Sequence, residues 1–260
     1  MRLEASMMSH KSLHRRVTLA HVCGRFAMDD KVNVLISEYV HAGGRASDGR
    51  PGSWKPSWNI APTQPIPVLF ESTKGGDDFA TRFEPAYWSL VPSWSKTLKL
   101  KYPTFNARAE GITEKATWKG PIKSHRAIVL ANGYYEWQAT ADGKKTPYFI
   151  HHPDEAVIGF AGLYSWWPDP AKDADDDSRW TLTATIMTSD AVQTLADIHD
   201  RNPVILPREL WEQWIDASVA DDQALVDEAV SAGVAQAGQL IFDRVALLRG
   251  DGPELVQPVA

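Results

Sequence analysis

RAIVLANGYYEW, residues 126–137, opens with the apolar, β-branched run of a strand buried on both faces. Asn132-Gly133 then signals a turn, and the chain continues into Tyr134, Tyr135 and Trp137 around one carboxylate, Glu136. Upstream, PIPVLF (65–70) and FATRFEPAYWSL (79–90) read as strands joined by the turn-forming STKGGDD. Downstream, PYFIHH (147–152), AVIGFAGLYSW (156–166) and WTLTATIMTS (180–189) read as three more, the last two separated by an exposed loop, PDPAKDADDDSR. Helical patterns lie apart from these strands. KVNVLISEYVHA follows the capping pair Asp29-Asp30 and stops at Gly43-Gly44; SDAVQTLADIHDR, PRELWEQWIDAS and DDQALVDEAVSAG follow from residue 189. The Gly- and Pro-punctuated stretch 43–57 reads as loop, and IFDRVAL (241–247) as a closing strand. Hairpin-type links with segregated helices predict an α+β fold: one domain over 23–260, with a mainly antiparallel, twisted or barrel-like sheet and peripheral helices.

Bulk composition agrees with a globular chain: 260 residues, 43% hydrophobic and 23% charged. No apolar run approaches the roughly 20 residues of a membrane helix, and no membrane partner is expected. The single cysteine, Cys23, excludes an internal disulfide framework and any zinc site built from several thiolates. No metal or organic cofactor is implied.

The net charge of −6 argues against a protein that coats nucleic acid indiscriminately. One stretch runs the other way. From Lys96 to Arg126, eight cations, Lys119 and Arg126 among them, meet only Glu110 and Glu114. Trp94, Tyr102, Phe105 and Trp118 interleave with them. Cations that track phosphates and aromatics that stack on bases make a single-strand groove; a solvated positive face has the same composition.

Three further stretches put polar residues where a strand or helix would be apolar: Asn106 and Arg108 in TFNARAE (104–110), Glu136 in GYYEW, and His199 and Arg201 at the expected helix end in ADIHDRNPVIL (196–206). A carboxylate among aromatics is desolvated, which raises its pKa toward neutrality. A cysteine, a histidine, a carboxylate and an amide can together make a thiol nucleophile with its base and orienting groups. Spacing alone does not assemble them, since such groups meet in space.

Read together, CGRFA (23–27), WNIAPTQ (58–64), FNARAE (105–110), GYYEW (133–137), IHDRNPVIL (198–206) and PELVQPV (253–259) resemble, in order, the SOS-response-associated peptidase family. The resemblance implies abasic-site chemistry at an N-terminal cysteine. Its α-amine and thiol react with the aldehyde of a ring-opened abasic deoxyribose in single-stranded DNA, closing a thiazolidine that tethers protein to lesion. An α-amine, with a pKa near 7.7–8.0, is partly unprotonated at neutral pH, and the preset thiol closes on the imine with a large effective molarity. By matching position, the resemblance gives catalytic roles to Cys23, Asn106, Glu136 and His199. Asn106 would hold the amine or the sugar, Glu136 would move protons at amine and thiol, and His199 would serve the sugar-ring opening and dehydration. Arg25, Arg108, Arg201, Lys119 and Arg126 would face DNA phosphates, and Trp137 the lesion. Self-processing peptidase activity and lyase cleavage beside the lesion are further implications. The expected protein is a monomer of the bacterial cytoplasm that meets abasic single-stranded DNA at the nucleoid.

This chemistry needs a free amine on Cys23, and residues 1–22 stand before it. That leader carries four Lys or Arg, three His and one acid, and lacks a secretory apolar core. An unstructured tail, a transit peptide and a segment absent from the mature protein all fit it. Valine can be encoded by GTG, a bacterial start codon, so translation from position 22 is expected to give Met-Cys23; removal by the protein's own peptidase-like site is the competing expectation. Two rival functions stand beside the leading one. A cysteine peptidase with Cys23 as internal nucleophile and His199 as base tolerates the leader. A non-covalent single-strand binder needs neither the amine nor the thiol.

Overall fold

The computed structural model describes residues 23–41, 45–46, 54–72, 80–140, 142–192, 198–219 and 222–259. In chain order the elements are β1 (Phe26–Met28), α1 (Lys31–His41), β2 (Arg45–Ala46), β3 (Ser57–Ile60), β4 (Pro65–Ser72), β5 (Ala80–Trp88), β6 (Asn106–Arg108), α2 (Pro121–Ser124), β7 (Arg126–Ala131) and β8 (Gly133–Ala139). There follow β9 (Lys145–His151), β10 (Ile158–Pro168), β11 (Trp180–Asp190), β12 (Arg201–Pro203), β13 (Ile205–Leu206), α3 (Trp211–Ile215), α4 (Asp222–Ala237) and β14 (Ile241–Arg244).

Strands β4, β5, β11, β10 and β7 pair in a closed ring. Four of the pairings are antiparallel. The fifth is parallel, Tyr87 with Thr183 and Trp88 with Ala184, and it joins β5 to β11. Closure leaves these strands no open edge. Helix α3 covers the ring's outside, where the Trp214 indole N–H donates to the Ala127 carbonyl at 3.0 Å.

A second sheet, in the order β14-β9-β8-β1-β3, packs against the ring. Phe26 of β1 meets Trp88 edge-on at 5.0 Å between ring centroids and Phe160 at 6.2 Å; Tyr134 of β8 meets Phe160 at 5.9 Å. Its other face buries Ala27, Tyr135 and Phe149 beneath Val245 and Leu255 of the C-terminal segment. The stretch 126–137 therefore spans both sheets: β7 belongs to the ring and β8 to the second sheet. The turn between them is fixed by β1. The Asn132 N–H donates to the Ala27 carbonyl at 2.8 Å, and Asn132 Oδ1 accepts the Asp29 N–H at 2.6 Å. Gly133 has no room for a side chain, because a Cβ there would lie 2.5 Å from the Ile150 carbonyl and from Phe149 Cζ.

The α+β, mainly antiparallel, barrel-like expectation holds, and most strands fall where the sequence puts them. The expected helix over 189–201 is corrected at both ends. Ser189 and Asp190 finish β11 and Arg201 opens β12, held by strand pairing to Asn202 and Arg201; residues 193–197 lie outside the described residues. The expected loop 43–57 contains β2 and runs into β3, which pairs with β1. The leader and the Gly43-Gly44 stop also lie outside the described residues. The acidic segment after β10 is the expected exposed loop, closed by Asp176, whose carboxylate accepts the Ser178 N–H at 2.8 Å. Among the described residues no helix is long and apolar enough to cross a membrane.

Candidate active site

Cys23 stands just ahead of β1 and is wholly buried. Strand β1 is paired with β8, Phe26 opposite Tyr134 and Ala27 opposite Gly133, and the Tyr135 N–H donates to the Arg25 carbonyl at 2.9 Å. Carried on by two residues, this register sets Gly24 opposite Glu136, with Cys23 next to it in the chain. The Cys23 nitrogen donates to Glu136 Oε1 at 2.6 Å. Cys23 takes a φ of 45°, in the left-handed region that a non-glycine residue adopts at a cost.

Glu136 is 3% exposed. Burial pushes its pKa up to about 8; the Cys23 N–H and the Lys145 charge oppose that rise, and the charge of Asp200 adds to it. Burial, joined by the charge of Glu136, also holds the Cys23 thiol well above its ordinary range. Each group resists ionising, because burial penalises the charged form of both. Of the GYYEW aromatics, Tyr134 shares the face of Glu136, while Tyr135 and Trp137 lie on the other face.

His199 lies two residues ahead of β12, in the segment that connects it to β11. Burial lowers its pKa, against the charge of Asp200. Its Nδ1 accepts the Arg201 N–H at 3.2 Å, which puts the neutral ring's proton on Nε2. Asp200 Oδ1 is 2.9 Å from the same Nδ1 and accepts a hydrogen bond from it once the ring is charged. Asp200 and Lys145 act on both Glu136 and His199, so the two groups share one field. Neither partner stands out in the sequence. Asp200 looks like a helix-end acid, and Lys145 enters the site only through the β8–β9 hairpin, where it pairs with Ala139.

Asn106 begins β6, which pairs with the 186–188 end of β11, while β12 pairs with residues 188–190 of that strand. Asn106 and His199 are thus anchored to the same end of β11. Phe105 ties this end to Cys23's strand: its carbonyl accepts the Trp88 indole N–H at 2.9 Å, and Trp88 packs on Phe26. Among the described residues no group of three or more His, Cys, Asp or Glu side chains is placed to hold a metal ion.

The sequence profile of the SOS response associated peptidase (SRAP) family matches residues 22–245. The chain belongs to the SRAP family. It is 32% identical over 205 residues to the abasic site processing protein YoqW of Bacillus subtilis, covering 78% of this chain and 84% of that one. It is 32% identical over 237 residues to the abasic site processing protein HMCES of Gallus gallus, covering 81% and 68%. A crystal structure of a Bacteroides thetaiotaomicron protein superposes with a TM-score of 0.69 at 23% identity, over 92% of this chain and all of that one, which shows the shared fold. A phage-related protein of Bordetella bronchiseptica gives a TM-score of 0.60 at 27% identity, covering 86% and 95%.

The cations expected at DNA differ in position within this SRAP chain. Arg108 and Lys119 are exposed. Arg25 is half-buried, its Nε donating to Asn59 Oδ1 at 3.0 Å. Arg201 is engaged by Asp190 and Glu110, each at 2.9 Å, and by the Thr188 carbonyl. Arg126 is a correction. It is 1% exposed, and its guanidinium donates to the carbonyls of Trp214, Ile122, Lys123, Asp216 and Val219. Those carbonyls wrap it completely, so it pins helix α3 to β7 and has no path to a phosphate. Trp137 lies half-buried on the face of β8 opposite Glu136, against the smaller apolar cluster. Of the four aromatics interleaved with cations, Trp118 is core and Phe105 packs on Trp88, while Trp94 is 71% and Tyr102 70% exposed. The Lys101 ammonium sits 5.4 Å from the Tyr102 ring centroid.

Proposed function

We propose that this protein processes abasic sites in single-stranded DNA, joining them covalently through the amine and thiol of Cys23 once Cys23 is the N-terminal residue. The carrying observation is the 2.6 Å contact between the Cys23 nitrogen and Glu136. In a chain that starts at Cys23 that nitrogen is the α-amine, and the buried carboxylate beside it is placed to take and return its proton. The amine adds to the sugar aldehyde, water leaves to give the imine, and the thiol closes the thiazolidine. His199, neutral and carrying its proton on Nε2, is the group for sugar-ring opening and for dehydration. Asn106 orients the amine or the sugar. The names of the relatives YoqW and HMCES support the substrate.

Exposed Trp94 and Tyr102 among Lys96, Lys99 and Lys101 supply stacking faces and phosphate contacts for a single strand. Arg108 and Lys119 extend that positive surface. The same contact supports cleavage of the Val22–Cys23 bond: protonated Glu136 is placed to give its proton to the leaving Cys23 nitrogen, which reconciles a peptidase label with DNA chemistry.

Two chains decide between these readings, one starting Met-Cys23 and one of full length, each mixed with single-stranded DNA bearing one abasic site. The expected result is a denaturation-resistant adduct from the short chain, abolished in Cys23→Ala. An adduct from the full-length chain with the leader still attached, by mass, would sink the amine chemistry. Loss of the leader before reaction would establish self-processing.

A further inference from the structure

The Tyr134 hydroxyl is the polar group at this site to which the proposed chemistry gives no part. Tyr134 precedes Glu136 by two residues, so both side chains leave β8 on the same face. It is fully buried, fixed by its cross-strand pairing with Phe26 and by edge contact with Phe160. Among the described residues its hydroxyl has no hydrogen-bond partner. The charges of Glu136 and Cys23 both act on it, so it shares their dry compartment. A buried, unbonded hydroxyl is costly, and phenylalanine would fill the same space without it.

We propose that Tyr134 is a positioning residue for the Cys23 sulfur, its hydroxyl donating a hydrogen bond to Sγ as the thiol loses its proton. This rests on the thiazolidine reading. In the closing step Glu136 in its ionised form takes the Sγ proton, a sulfur lone pair forms the C–S bond to the iminium carbon, and the C=N π pair returns to nitrogen. Tyr134 keeps its own proton throughout, because burial first, then the charges of Glu136 and Cys23, hold its ionisation far above neutral pH. Glu136 is the charged neighbour on the same strand. Asp200 and Lys145 act in turn on Glu136.

Because the chain has one cysteine, a 13Cβ-cysteine label gives a single resonance whose pH titration reads the thiol directly. The experiment compares the chain starting at Cys23 with its Tyr134→Phe variant, by that titration, by adduct formation on abasic single-stranded DNA, and by thermal unfolding. Loss of a hydrogen bond to a thiolate raises the midpoint by about one pH unit and slows adduct formation about tenfold near neutral pH. The unfolding temperature is expected to stay level or rise, since the hydroxyl is unbonded in the resting protein. An unchanged midpoint would overturn the proposal. So would a clear drop in unfolding temperature, which would mean the hydroxyl is already spent on the fold. If the unsubstituted chain forms no adduct at all, the thiazolidine reading fails by itself, and the titration still decides whether Tyr134 serves the sulfur.

Discussion

Glu136 holds its proton in the folded chain up to about pH 8, whereas in the unfolded chain it ionises near the ordinary glutamate value of about 4.3. A raised folded pKa favours the folded state fully below the unfolded value, and the advantage drains away as pH climbs toward about 8. Glu136→Gln carries no such proton. Relative to this variant, the unsubstituted protein should lose on the order of a few kcal/mol between about pH 5 and pH 9, read as Tm against pH. The same variant should slow adduct formation by about 10²–10⁴-fold, the range for a lost general acid–base group. A flat difference in Tm across that range would mean Glu136 is not desolvated in solution. His199→Ala should leave Tm nearly unmoved, because the ring lies in a connecting segment, while adduct formation on ring-closed abasic sugars drops by about 10²-fold or more. Partial rescue by added imidazole would mark the loss as one of proton transfer.

Strand β8 carries the site because its neighbours leave it nowhere else to go. Gly133 sits where a Cβ would press on Ile150, Phe149 and His151. Gly133→Ala should therefore cost about 2 kcal/mol or more in urea unfolding, and adduct formation should fall with it as Glu136 moves from Cys23. Retained stability with lost activity would mean that β8 slides without breaking. The strands of the ring are legible in sequence because the signals are local: apolar runs in 65–70 and 126–131, punctuated by Gly, Asn and Asp. Glu136 is legible for the same reason, as a carboxylate set among aromatics. The parallel pairing of β5 with β11 is not, since it joins Tyr87 to Thr183 with no local mark on either strand. Nor is the role of Arg126, whose sequence neighbours are those of a surface cation. Trp214, Asp216 and Val219, which enclose it, arrive 88, 90 and 93 residues later. Strand and helix look alike at Ser189, Asp190 and Arg201 because their polar side chains fit either pattern, and only the pairing of β11 with β12 decides.

At the scale of the whole molecule, charge divides into two kinds of cation with opposite tests. Arg126→Ala leaves five carbonyls without their donor and should destabilise the protein by about 3–5 kcal/mol, with the salt dependence of single-strand binding unchanged. Lys101→Ala and Lys119→Ala should leave stability alone and each reduce the slope of log K against log salt by about 0.7. Trp94→Ala should weaken binding to an undamaged single strand by about 1–3 kcal/mol at constant salt. An Arg126 variant that stays stable and loses the salt slope would return that residue to the DNA face. The position of Cys23 has a consequence for the life of the chain. In most proteins a terminus lies at the surface, open to acetylating enzymes and to aminopeptidases that trim from the free end. Here the Cys23 nitrogen is held by Glu136, and the residue packs in one core cluster with Phe26 and Tyr134. A chain cut to begin at Cys23 therefore takes a purification tag at the other end, so that this nitrogen keeps its place against Glu136.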